Sequence, residues 1–332
     1  MLSGPQYTPD SPPTHNMALP IPLALLGVFV AYVLQQVITI KFRKQFAKGG
    51  KRTHPVSPAA ITSSSRAVGY GSVVGALKKE LKVLTYNIAG LPPYINRNSP
   101  GVRLKVLSKT LSEDSTIDII VFQEAFDVAV IKLLNEGLRD HFPYILSNAL
   151  PNPIYCSMGS GLFIASRLPL TWAESRYFVS SVGSDYFSGK GVVGVGVEVG
   201  VGEEVQVYTT HTQADMDLGD PFRNLVFGEG GRDAVTMRVR KTQFEVVRDF
   251  VTERGEGRNH FIVGRLVAGD FNVSAETLEQ QGEDYIVKPT SEYVELVNTL
   301  RCYGNYSATD LWRYFYPLPG GGGGGGEERN VG

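Results

Sequence analysis

Cysteine is scarce in this 332-residue chain: Cys156 and Cys302 are the only two. They lie far apart in sequence, read as free thiols, and offer no disulfide framework. No Cys-x-x-Cys or His-Glu-x-x-His pattern occurs, so nothing in the sequence indicates a zinc site. A surplus of one charge sign is also missing. Lys and Arg number 32 and Asp and Glu 33, a net charge of -1. That balance removes any global attraction to nucleic acid and leaves only local basic patches to consider. No repeat is evident at the spacing of about 20 to 50 residues that marks solenoids and propellers. What is present is a hydrophobic content of 42% and a charged content of 20%. This suits one large globular domain with extensions, or two small domains.

One long apolar run stands out. Residues Leu19 to Ile40 carry no charge, and about 20 such residues span a bilayer core as a helix. Pro20 and Pro22 fall in the first turn, where proline is tolerated. A buried soluble helix and a cleaved signal peptide are the alternatives. A signal peptide has a positive start, a shorter apolar stretch and a small-x-small cleavage site. Here residues 1 to 16 hold Asp10 and no Lys or Arg, and the run ends in Lys41, Arg43 and Lys44. The run is therefore read as a membrane anchor. With Lys48, Lys51 and Arg52, the following flank is basic, which predicts a single-pass protein whose folded domain is cytoplasmic. The same cluster suits anionic lipid headgroups, or serves only as a stop-transfer flank.

The expected organisation is a disordered tail over 1–18, the transmembrane helix over 19–40, and a basic flank and flexible linker over 41–80. A folded domain follows over 81–316, then a tail over 317–332 containing seven consecutive glycines, Gly320 to Gly326. Within the domain, strands are expected at 81–86, 117–122, 161–166, 192–199, 205–210 and 261–268. Helices are expected at 102–111, 128–138 and 235–251. Without regular strand–helix alternation, the order predicts an α+β layered domain.

Polar residues cluster where these apolar runs stop. Asn87 follows Val83-Leu84-Thr85-Tyr86, and Glu124 follows Ile120-Val121-Phe122-Gln123. An amide oxygen and a carboxylate at adjoining strand ends suit Mg²⁺, a hard cation that retains several waters. Taken singly, Asn87 could end a strand and Glu124 could cap a helix. A third strand ends in Asp270-Phe271-Asn272, whose side chains at i and i+2 share one side of an extended segment. Such a pair could hold an attacking water and a phosphate oxygen. Thr210-His211 ends a fourth run, and a histidine there could donate to phosphate or protonate a leaving oxygen.

This ordered series of Thr85-Tyr86-Asn87, Gln123-Glu124, Thr210-His211 and Gly269-Asp270-Phe271-Asn272 resembles the endonuclease/exonuclease/phosphatase superfamily, with its deoxyribonuclease-I-like fold. Within it, Ile88-Ala89-Gly90-Leu91-Pro92, Ala125-Phe126-Asp127 and Thr212-Gln213-Ala214-Asp215 are most similar to neutral sphingomyelinases. Ser188-Gly189-Lys190-Gly191 resembles their Lys-Gly element. Arg240, in Val239-Arg240-Lys241-Thr242-Gln243, fits their arginine–glutamine helix. The resemblance implies a four-layer α/β/β/α sandwich, Mg²⁺ at Glu124 with Asn87 nearby, and His211, Asp270 and Asn272 around the scissile phosphate. It also implies a phosphate or headgroup contact for Lys190, whose alternative reading is a loop lysine beside turn glycines.

One family element is missing. The pattern ends in a strand followed by an Asp-His pair, whereas here Ala308-Thr309-Asp310-Leu311-Trp312 is followed by prolines and glycines. Asp140-His141 stands in the wrong part of the order, and His15, His54 and His260 are no substitutes. The domain is thus expected to lack its last strand. A shortened chain of an active family is preferred to a non-catalytic member, because the upstream ligands remain. The leading expectation is a membrane-anchored phosphodiesterase acting on a sphingomyelin-like phospholipid. A nuclease of the same fold, with nucleic acid as a less favoured partner, and a non-catalytic membrane-tethered interaction protein are the alternatives.

Overall fold

The computed structural model describes residues 54–55, 61–63, 80–92, 100–147, 149–150, 158–215, 232–253, 261–281, 284–301 and 309–310. The expected membrane segment at 19–40, the tails at 1–18 and 317–332, and both cysteines lie outside them. Among the described residues, no helix is long and apolar enough to cross a membrane.

Two five-stranded sheets dominate. The first has the order β1 (His54–Pro55), β7 (Leu170–Tyr177), β8 (Gly191–Gly200), β9 (Glu203–His211), β10 (Phe261–Asp270). The second has the order β2 (Ile61–Ser63), β5 (Tyr144–Ser147), β6 (Phe163–Ser166), β4 (Ile119–Ala125), β3 (Val83–Gly90). Most neighbours are antiparallel, but β3 runs parallel to β4 and β9 parallel to β10. These two parallel pairs carry the motifs. The residues read as a linker at 41–80 include β1 and β2, short edge strands paired with β7 and β5. Ile61 and Thr62 in β2 are β-branched, which suits an extended edge.

Strand β4 shows how sequence becomes layering. Its residues are buried on both faces, so it reads as a continuous apolar run rather than an alternating one. Ile119 and Val121 point into the space between the sheets, where they join Leu146, Ile164, Val193, Val195, Val197 and Val207. Ile120 and Phe122 point the other way, onto α1 (Gly101–Glu113) and α2 (Val128–Leu138). Those helices bury Leu104 and Leu111, and Val130, Leu134 and Leu138, at helical spacing. The Asp127 side chain caps α2 by accepting from the Ala129 N–H at 2.7 Å. On the outer face of the first sheet, Val192 and Tyr208 pack against Val247 and Phe250 of α3 (Arg232–Glu253). Helices thus flank two face-to-face sheets in a mixed α/β arrangement. Burying each large apolar side chain in these interfaces contributes about 1.5–3 kcal/mol.

After β10 come a hairpin, β11 (Glu276–Gln281) with β12 (Asp284–Pro289), and α4 (Ser291–Arg301). The hairpin closes at its base through Thr290, whose N–H donates to Ala275 O at 3.2 Å and whose hydroxyl donates to Ser274 O at 2.5 Å.

Candidate active site

Both parallel pairs end on the same set of side chains. In β3–β4, Asn87 stands opposite Gln123, and the register then shifts before Gly90 meets Ala125. The irregularity places Ala89 at φ 45° and Glu124 at φ 60°. Left-handed backbone at a non-glycine residue is costly and persists only where the surroundings enforce it. Here Gly90 permits it, since a Cβ on that residue would lie 2.7 Å from the Glu124 carbonyl oxygen. In β9–β10, Asp270 stands opposite His211 and Gly269 opposite Thr210. A Cβ on Gly269 would lie 2.2 Å from Thr210 O, so glycine is what lets these strands close up.

Asn87 joins the two sheets. Its Nδ2 donates to Glu124 Oε1 at 2.8 Å and to Asp270 Oδ2 at 2.9 Å, while its Oδ1 accepts from the Ala89 N–H at 3.0 Å. Because only the oxygen can accept from Ala89, the nitrogen is the end that faces the carboxylates. Gln123 makes a second link one layer deeper, donating to Thr85 Oγ1 and Thr209 Oγ1, each at 3.3 Å. His211 Nε2 lies 4.0 Å from Glu124 Oε1 and 3.9 Å from Asp270 Oδ2. Asn272, at φ 51°, donates its backbone N–H to Asp270 Oδ1 at 2.9 Å and its Nδ2 to Thr212 O at 2.9 Å. All the residues expected at the metal and the phosphate therefore converge.

Lys190 is also there, buried rather than displayed. Its ammonium donates to Asp185 Oδ2 and to Thr212 O, each at 2.7 Å, and sits 3.5 Å from His211 Nε2. Asp185, absent from the sequence expectations, accepts from the Ala214 N–H at 2.7 Å as well. It lies on a 3-10 turn, Gly183–Phe187, and nothing in the sequence around it marks the role.

Burial, then the neighbouring Lys190 charge, lowers the His211 pKa to about 4, against an upward pull from Asp185 and Asp270. The imidazole is thus neutral near pH 7. Among the described residues, its buried Nδ1 has no hydrogen-bond partner. Among the described residues a proton on Nδ1 has no acceptor, while a proton on Nε2 faces the Lys190 ammonium at 3.5 Å. An unmet buried polar group of this kind costs about 1–3 kcal/mol. Burial pushes the Asp270 carboxyl up, but the Asn87 amide and the Asn272 N–H outweigh it and hold the carboxyl below the usual carboxylate range.

The loop after His211 is fixed from behind by α3. Gln243 Oε1 accepts from the Gln213 N–H at 2.7 Å. Arg240 Nη1 donates to Gln213 O at 3.1 Å and to Asp215 Oδ1 at 2.7 Å. The arginine–glutamine helix singled out in the sequence is thus the support of the histidine loop.

The sequence profile of the Endonuclease/Exonuclease/phosphatase family matches residues 84–325, which include every residue of this site. The chain belongs to this family. Among its curated relatives, Sphingomyelinase C 2 of Leptospira interrogans is 26% identical over 246 residues, 68% of this chain and 34% of that protein. Sphingomyelin phosphodiesterase 5 of Danio rerio is 29% identical over 194 residues, 48% of this chain and 35% of that protein. The chain thus spans about a third of the length of either relative. A beta toxin variant from Staphylococcus aureus, solved with bound magnesium ions, superposes with a TM-score of 0.51 at 21% identity, covering 68% of this chain and 71% of that one. The superposition supports the deoxyribonuclease-I-like fold, and the curated relatives show the similarity to sphingomyelinases.

Among the described residues, no three His, Cys, Asp or Glu side chains form a ready metal cage. A cation that keeps most of its waters needs fewer protein ligands than that. Two carboxylates held one amide apart supply hard oxygen donors, so they fit such an ion, whereas the Asn87 oxygen expected to face it is turned onto the Ala89 N–H.

Proposed function

We propose that this protein is a Mg²⁺-dependent phosphodiesterase of sphingomyelinase type, which hydrolyses the headgroup phosphodiester of a phospholipid. The carrying observation is the Asn87 bridge, which sets carboxylates from two sheets within 4.0 Å of one neutral imidazole. The sphingomyelinase names of the relatives support a lipid substrate. Glu124 would hold the cation, with Asn87 beside it. Bound there, Mg²⁺ would offset charge on the phosphoryl oxygens and the leaving group.

The chain's own residues do the rest. Each Asp270 oxygen accepts one protein hydrogen bond and keeps a lone pair with which to orient the attacking water. Asn272, anchored through Thr212 O, has a second amide N–H for a phosphate oxygen. His211 donates from Nε2 to the same group, and the Lys190 ammonium 3.5 Å away favours an anion there. Lys190 acts from behind the imidazole, because its other contacts are Asp185 and Thr212 O.

Anchoring by residues 19–40 belongs to this proposal, since it would confine the site to a membrane surface. The full chain should then sediment with membranes after carbonate washing. Arginine at Leu25 and Leu26, at about 2.5–3.5 kcal/mol each, should release it. Hydrolysis of sphingomyelin, lysophospholipid and DNA, each with Mg²⁺ or with EDTA, tests the activity. Turnover of sphingomyelin that EDTA abolishes is expected. Turnover of DNA alone would point to a nuclease, and no turnover by folded protein would favour a non-catalytic tethered role.

A further inference from the structure

We propose that Glu292, acting through Arg240, is a positioning residue that holds the His211 loop in register with the Asp270–Asn272 loop. Thr212 joins the two loops from inside. Its N–H donates to Asp270 O at 3.0 Å, its hydroxyl to Phe271 O at 2.5 Å, and its carbonyl accepts from Asn272 Nδ2 at 2.9 Å.

A second connection runs around the outside. Arg240, with a side chain only 2% exposed, grips the histidine loop at Gln213 O and Asp215. Its opposite edge forks onto Glu292, Nε to Oε1 at 2.5 Å and Nη2 to Oε2 at 3.0 Å. Glu292 lies in the first turn of α4, two residues after Thr290. Thr290 Oγ1 accepts from the Tyr293 N–H at 3.1 Å, and Thr290 ties this turn to Ser274 and Ala275, just past Asn272. The circuit therefore closes from His211 through Arg240, Glu292 and Thr290 back to Asn272.

A bidentate, desolvated pair holds its geometry far better than an exposed one. Lys241 and Glu295 also join α3 to α4, but with side chains 51% and 37% exposed and, among the described residues, without reaching either loop. They provide the control for simple helix fastening.

The kinetic part of the test rests on the phosphodiesterase reading; the exchange part does not. In the full chain, Glu292→Gln should lower kcat for sphingomyelin about tenfold with KM within about twofold, as expected when geometry rather than ground-state binding is lost. Amide exchange across 211–215 should rise about tenfold or more in the same variant. Glu295→Gln should do neither. If Glu292→Gln does not fold, Arg240→Lys carries the same expectations, since it keeps the charge and loses the fork. If the unsubstituted chain hydrolyses no lipid, the exchange comparison decides alone. Equal behaviour of the 292 and 295 variants, or unchanged exchange across 211–215, overturns the proposal.

Discussion

Asp270 stands directly opposite His211 in the parallel pairing of β10 with β9, and its Oδ2 lies 3.9 Å from the imidazole Nε2. The register is a backbone property, so the pair is set before any side chain chooses a rotamer. Replacing the carboxylate by its amide tests what this placement does. Asp270→Asn should keep the fold and lower turnover by about a hundredfold or more. A rate within a few-fold of the unsubstituted protein would remove Asp270 from the chemistry.

The buried imidazole gives a pH signature in the metal-free protein. Its folded pKa of about 4 lies below the unfolded value of 6.5. Between those values the unfolded chain binds more protons, so stability is full above about pH 6.5 and declines as pH falls toward 4. Urea midpoints across that range should show the decline, and His211→Gln should flatten it. Ring-proton NMR should find His211 still neutral at pH 6. A midpoint near 6.5 would contradict the burial argument.

The amide bridge makes a separate prediction about cations. Asn87→Asp removes the two donations to Glu124 and Asp270 and sets a third carboxylate beside them. In EDTA the variant should be destabilised by about 2–4 kcal/mol, through lost hydrogen bonds and like-charge repulsion. Mg²⁺ should then raise its Tm by more than it raises that of the unsubstituted protein. Equal Mg²⁺ shifts in thermal melts would argue against a cation between these carboxylates.

Gly269 tests the close approach of β9 and β10. Alanine there puts a Cβ 2.2 Å from Thr210 O, a backbone atom with little freedom to move. Gly269→Ala should cost roughly 3 kcal/mol in urea unfolding. It should also depress activity beyond what the stability loss explains.

The motif-bearing strands were legible in the sequence because each combined an apolar run with a polar stop, and the helices because their apolar residues recur at helical spacing. Strands at 83–90, 119–125, 203–211 and 261–270 and helices at 101–113, 128–138 and 232–253 follow these patterns. Other elements lack them. β5 has only four residues, and β7 carries Thr, Glu, Ser and Arg, so neither shows a clean period. The first strand of the hairpin at 276–289 is rich in Glu and Gln, and helix α4 carries only a short apolar face, with Leu296 buried and Leu300 packed on the outer cluster, beside the ties through Thr290 and Glu292. The roles of Asp185 and Glu292 were invisible for a related reason. A side chain that works by touching loops distant in sequence leaves no local pattern.

The two halves of the site belong to different sheets. Asn87 and Glu124 are carried by the β3–β4 sheet, His211 and Asp270 by the β9–β10 sheet. The distance across which they cooperate is therefore gauged by the interior: Val121 and Ile119 on one side, Val193, Val195, Val197 and Val207 on the other. A valine buried between the sheets acts here as a spacer for the two halves of the site, so a methyl gained or lost there should shift the separation of Glu124 from Asp270.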